Sequence, residues 1–108
     1  MRTIVASALA IGLATTARAE DQTGMFLCQS PMNAVSFWDG LIAIRSLGTV
    51  PTRKQMEGIA RKWKCAFVAS GSIKPIQYAV GTLLLTDGRV RGYAAPDYYI
   101  AYLNRLDQ

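Results

Sequence analysis

Two cysteines, Cys28 and Cys65, and the absence of any histidine constrain this chain more than any other feature of its sequence. What the cysteines mean depends on where the chain goes, and its first residues bear on that. MRTIVASALAIGLATTARAEDQ opens with a cation, Arg2, and runs apolar over residues 4–13. It then reaches Ala17, Arg18 and Ala19, placing small residues three before and one before a cut after Ala19. That is the layout of a secretory signal peptide. A membrane span needs about 20 apolar residues, and Arg18 interrupts the run well before that. The sequence therefore predicts a signal peptide over residues 1–19 and a single small α+β domain over residues 20–108. It also predicts a periplasmic or secreted location, with no stable membrane span after signal cleavage.

Oxidising compartments form disulfides and keep them, and two cysteines leave only one pairing. A Cys28–Cys65 bond closes a loop worth about 4 kcal/mol in the chain-entropy model. For a domain whose core is thin, that is a large share of total stability. Rival roles lack their parts. A catalytic thiolate usually needs an activating histidine, although Lys62 and Lys64 lie nearby. A zinc site needs about four ligands. Lipidation at Cys28 would want small residues before it, where the sequence has Met25, Phe26 and Leu27. A free thiol is the remaining alternative to the disulfide. No metal and no cofactor are expected.

The apolar periodicity divides the domain. Residues 20–24 read as a loose polar arm, and MFLCQSP as either an extended piece or the lead-in to a helix. Ser30 is placed to cap that helix and Pro31 to occupy its first turn. Residues 32–47 follow, with Ala34, Trp38, Leu41, Ile42 and Leu47 near helical spacing and Gly48 as a stop. Thr52 and Gln55 form a capping-box pattern ahead of a second helix. Met56, Ile59, Ala60 and Trp63 fall on one of its faces. Arg53, Lys54, Arg61 and Lys64 fall opposite, as a solvated face or a docking surface for an acidic partner.

Beyond Cys65 the period changes. CAFVAS reads as a strand, GSIKP as a turn, and IQYAVGTLLL as one longer strand. TDG makes a tight turn, and RVRGYA returns as a third strand with Arg89 and Arg91 alternating about Val90. Gly81 and Gly92 suggest bulges or close packing against a helix. Pro96 and Asp97 open a short C-terminal helix, with Tyr99, Leu103 and Leu106 on one face and Tyr98 and Tyr102 on a neighbouring one. The predicted fold is α+β: two N-terminal helices, a three-stranded antiparallel meander and a short C-terminal helix, stapled by one disulfide.

Residues 87–103, DGRVRGYAAPDYYIAYL, resemble the end of bacterial SH3-like domains, where a turn, a Gly-aromatic strand and a final aromatic-Leu pair recur. The likeness covers 17 residues. Two helices precede it and leave no room for the other strands of such a barrel, so no function is carried over.

Little else here carries reactive chemistry. Without histidine there is no ordinary general base near neutral pH. Asp87 has a job in a turn and Asp97 at a helix start, and Glu20, Asp21 and Asp107 sit near the ends of the mature chain, so Asp39 and Glu57, both on predicted helices, are the carboxylates without an obvious structural job. No phosphate loop, dinucleotide fingerprint or calcium loop occurs. The mature chain carries ten Lys and Arg against seven Asp and Glu, a balance too mild for a nucleic-acid binder. The expected function is thus non-catalytic: binding a protein partner in the cell envelope, as an inhibitor, an immunity-type protein or an assembly accessory. The expected contact residues are Arg89, Arg91, Tyr93, Tyr98 and Tyr102, since Tyr and Arg dominate interface hot spots. A module that binds peptidoglycan or another glycan through stacked tyrosines is the alternative. A small hydrolase using Asp39 and Glu57 is the second alternative.

Overall fold

The computed structural model describes residues 23–106, so the signal peptide expected over residues 1–19 lies outside the described residues. The first strand, β1, is Gly24–Cys28. Ser30 then caps helix α1 (Pro31–Arg45), its hydroxyl accepting from the Asn33 N–H at 3.1 Å, with Pro31 in the first turn as the sequence predicts. Helix α2 (Arg53–Lys62) begins with the predicted capping box. The Gln55 N–H donates to Thr52 Oγ1 at 3.1 Å, and the Thr52 N–H to Gln55 Oε1 at 2.9 Å. Four strands follow: β2 (Cys65–Ala69), β3 (Lys74–Ala79), β4 (Thr82–Thr86) and β5 (Arg91–Ala94). Helix α3 (Pro96–Leu106) ends the described chain.

Among the described residues the sheet has five strands, not three. Its order is β2-β1-β5-β4-β3, and every pairing is antiparallel. One extra strand is the apolar stretch around Cys28. The other arises because IQYAVGTLLL is two strands, broken at Val80 (φ 49°) and Gly81 (φ 75°). Two successive positive φ values are the signature of the tight turn whose twist suits a two-residue hairpin. Gly81 is therefore a turn residue, and the register shift in that hairpin lies between Pro75 and Gln77. Gly92 does mark a close approach, to a strand and not to a helix. A Cβ there would lie 2.8 Å from Leu27 Cβ and 3.0 Å from the Cys28 carbonyl oxygen. Among the described residues the sheet is open, with β2 and β3 at its edges, and residues 98–103 are helical, so these residues form no SH3-like barrel.

Cys28 and Cys65 are directly opposite one another on β1 and β2 and are joined as the predicted disulfide. The Ser70 N–H donates to the Thr23 carbonyl and the Gln29 N–H to the Lys64 carbonyl. Between those flanking bonds the pairs alternate, so Cys28–Cys65 is a non-hydrogen-bonded pair, where side chains come closest. The bond thus cross-links two neighbouring strands at the neck of the α1–α2 excursion.

The core is one cluster in which Phe26 touches both Phe37 of α1 (ring centroids 5.5 Å apart) and Phe67 of β2 (5.2 Å). Gly40 lets the helices meet, since a Cβ there would be 3.1 Å from Ile59 Cγ2. Arg53, expected on the solvated face of α2, instead lays its guanidinium 4.0 Å from the centroid of Phe67 and binds Glu57. That is a cation–π lid on the aromatic pair.

Strand β5 pairs with β1 only at Cys28–Tyr93. Beyond that point α3 takes over the edge of β1 with side chains. The Phe26 N–H donates to Tyr98 Oη at 2.8 Å, and Arg105 donates to the Gly24 carbonyl at 2.7 Å. Tyr102 Oη accepts from the Ile73 N–H at 3.0 Å and donates to the Ser70 carbonyl at 2.8 Å. A buried backbone donor without a partner costs about as much as a lost hydrogen bond, so Tyr98 and Arg105 stand in for a missing strand beside β1, while Tyr102 holds the β2–β3 connection.

Candidate functional site

Register decides which side chains share a face. Leu27 is opposite Ala66 and Met25 is opposite Val68, so Leu27, Ala66 and Val68 project together, away from the face that carries Phe26 and Phe67. They contribute to an open groove of about 590 Å³ along the end of β1 and β2, which also draws on Phe67, Ala69, Gln29, Lys64 and the disulfide, on Arg89 and Val90 from the β4–β5 connection, and on Arg91 at the start of β5.

The wall at residues 87–90 is rigidly built. Asp87 Oδ1 accepts from the backbone N–H groups of Arg89 and Val90, both at 2.9 Å, while Thr86 Oγ1 donates to the Val90 carbonyl at 2.7 Å. Those backbone donors to Asp87, from Val90 first and then Arg89, hold its carboxyl below the usual aspartate value, with the Arg89 charge adding to them. The Asp87 carboxylate is tucked under the turn, and Arg89 above it leaves 82% of its side chain exposed at 3.5 Å. Lys64 is placed by an unusual backbone. It is a non-glycine residue with φ 58°, at the corner where α2 gives way to β2. The energetic cost of that conformation is offset by its surroundings, which include the bond from the Gln29 N–H to the Lys64 carbonyl.

The groove therefore presents three cations, Lys64, Arg89 and Arg91, over an apolar floor, and among the described residues no carboxylate lines it. Such a surface can pair with carboxylates while burying adjacent apolar groups. Among the described residues no group of three or more His, Cys, Asp or Glu could hold a metal ion.

The five expected contact residues do not form one surface. Arg89 and Arg91 meet in the groove. Tyr93 is half-buried opposite Cys28 and does not line the groove. Tyr98 and Tyr102 are core residues, 3% and 0% exposed, with hydroxyls spent on backbone groups. Burial pushes the Tyr98 phenol up to about 12, against a smaller opposing effect of its bond from Phe26. Asp39 is exposed on α1, Glu57 is bound by Arg53, and no hydrogen bond joins the two carboxylates. Lys64 and the apolar floor were missed as site residues. The signal that could have found them is the disulfide itself: once Cys28 is set opposite Cys65, Leu27 must face Ala66.

No family model matches the chain, and no curated protein or solved structure matches it. Function has to be read from the groove itself.

Proposed function

We propose that the protein is a small exported, disulfide-stapled binding protein that docks an acidic segment of an envelope protein in the groove between β1–β2 and the β4–β5 connection. The observation that carries this reading is that Lys64, Arg89 and Arg91 all line a groove with an apolar floor to which, among the described residues, no carboxylate contributes. Charge of one sign steers encounter, and burial of apolar surface then holds the complex. Binding would act by occlusion or docking, as for an inhibitor, an immunity-type protein or an assembly accessory. Stacking of sugars on Tyr98 and Tyr102 has no support, because neither ring reaches the surface.

The test is recovery of a stoichiometric partner from envelope extract on the immobilised protein. Wild type, the double reversal Arg89→Glu/Arg91→Glu and a distant reversal, Lys74→Glu on β3, are compared. The groove variant should lose the partner while Lys74→Glu keeps it. Equal recovery by all three, or loss in both variants alike, would reject the groove as the docking site.

A further inference from the structure

A second surface, separate from the groove, combines two features that neither the core nor the proposed docking site uses. The first is the connector between α1 and α2, residues 46–52. It is ordered by its own bonds: Ser46 Oγ donates to the Ala43 carbonyl at 2.7 Å, Thr49 Oγ1 to the Ile44 carbonyl at 3.2 Å, and the Gly48 N–H to the Arg45 carbonyl at 2.9 Å. On this fixed turn Leu47 and Val50 stand 79% and 81% exposed, with Ile42 at the adjoining end of α1 44% exposed. The connector itself contains no charged residue.

The second feature is the outer stripe of α2. Lys54, Gly58 and Arg61 recur at steps of four and three, with Gln55 and Lys62 beside them, and all five are exposed. From Gly40 to Lys62, short of the groove residue Lys64, the chain carries five cations and one carboxylate, and that carboxylate, Glu57, is already bound by Arg53. An apolar wedge thus stands at the end of a cationic helical stripe.

We propose that this wedge and stripe dock the protein on an anionic lipid bilayer. The pairing is what a bilayer interface accepts: apolar side chains enter at the acyl boundary while cations lie at the level of the phosphates. Neither half suffices alone. Two apolar side chains give marginal partitioning, and a few exposed cations give only salt-sensitive attraction. Among the described residues no helix is long and apolar enough to cross a membrane, so the association is peripheral.

The chain from Glu20 onward, which contains all of the described fold, is floated with vesicles of phosphatidylcholine alone and with vesicles containing phosphatidylglycerol. The protein should float with the anionic vesicles only and be released by high salt. Leu47→Ser/Val50→Ser and Lys54→Glu/Arg61→Glu should each weaken flotation about tenfold or more, in proportion to the anchor or charge removed. Arg89→Glu/Arg91→Glu should float like wild type. All four substituted positions of the two weakening variants are exposed, and unchanged circular dichroism checks their folds. Flotation equal on both vesicle types, indifference to the wedge and stripe variants, or loss only in the groove variant would overturn the proposal. The last two results would assign the acidic attraction elsewhere on the protein.

Discussion

Replacing Tyr98 by Phe tests whether α3 closes the edge of β1. The ring would stay in place between Phe37 and Trp38, whose centroids lie 5.6 and 5.7 Å from it. Only the hydroxyl is lost, and with it the acceptor for the Phe26 N–H at 2.8 Å. Phe26 is 3% exposed, so water does not readily replace that acceptor. An orphaned buried donor costs about 1–3 kcal/mol. In a domain of this size each kcal/mol moves Tm by roughly 4–8 °C, so a fall on the order of 10 °C is expected. Urea unfolding gives the free energy, and amide hydrogen exchange gives the location: the Phe26 amide should lose protection while those of the β3–β4 hairpin keep theirs. A change within about 0.5 kcal/mol, the ordinary range for a surface substitution, together with an unaltered Phe26 amide, would refute this account of the edge. Loss of partner binding at unchanged stability would do the same, returning Tyr98 to the binding surface.

Tyr98 also sets an alkaline limit. Its phenol has a folded value of about 12 against 10.0 for the free group, so the unfolded chain releases the proton first. Stability is full below pH 10 and falls as pH rises toward 12, by on the order of 2–3 kcal/mol, and Tyr98→Phe should flatten that part of a pH–stability profile. Removing the staple with Cys28→Ala/Cys65→Ala should cost about 4 kcal/mol in chemical denaturation. The intact wild-type chain should resist alkylation until reduced. Gly92→Ala should destabilise by about 1–3 kcal/mol in the same assay, because the new methyl meets Leu27 Cβ at 2.8 Å and backbone at 3.0 Å.

What the sequence disclosed and what it withheld follow from the same physics. Caps are local chemistry, so Ser30, Pro31, Thr52 and Gln55 announce both helices correctly. The cysteine pairing was legible because no other pairing exists. Strand β1 was not, because all five of its residues are buried and an apolar run without alternation cannot be told from a helix lead-in. The β3–β4 turn was hidden by Val80, a β-branched residue that rarely adopts positive φ and reads as strand. Helical spacing correctly grouped Tyr98 with Tyr102 but could not say that theirs was the inward face, while Leu103 and Leu106 are 39% exposed. In the groove, Arg89 and Arg91 were legible as alternating charges. Lys64 joined them only through the fold, which turns the end of α2 toward the same side.

The strand order has a consequence for how the chain comes together. Strand β1, synthesised before every other described element, sits second in the finished sheet, between β2 and β5. As the chain emerges, β1 can gain its first neighbour once Ala69 has appeared, and Cys28 can then be joined to Cys65 across the neck of the α1–α2 excursion. Its other neighbour, and the Tyr98 and Arg105 side chains that finish its edge, arrive only with the last residues of the described chain. Ribosome-bound chains cut short before Arg91 should therefore hold a half-dressed β1, protected on one side and open to misassociation on the other.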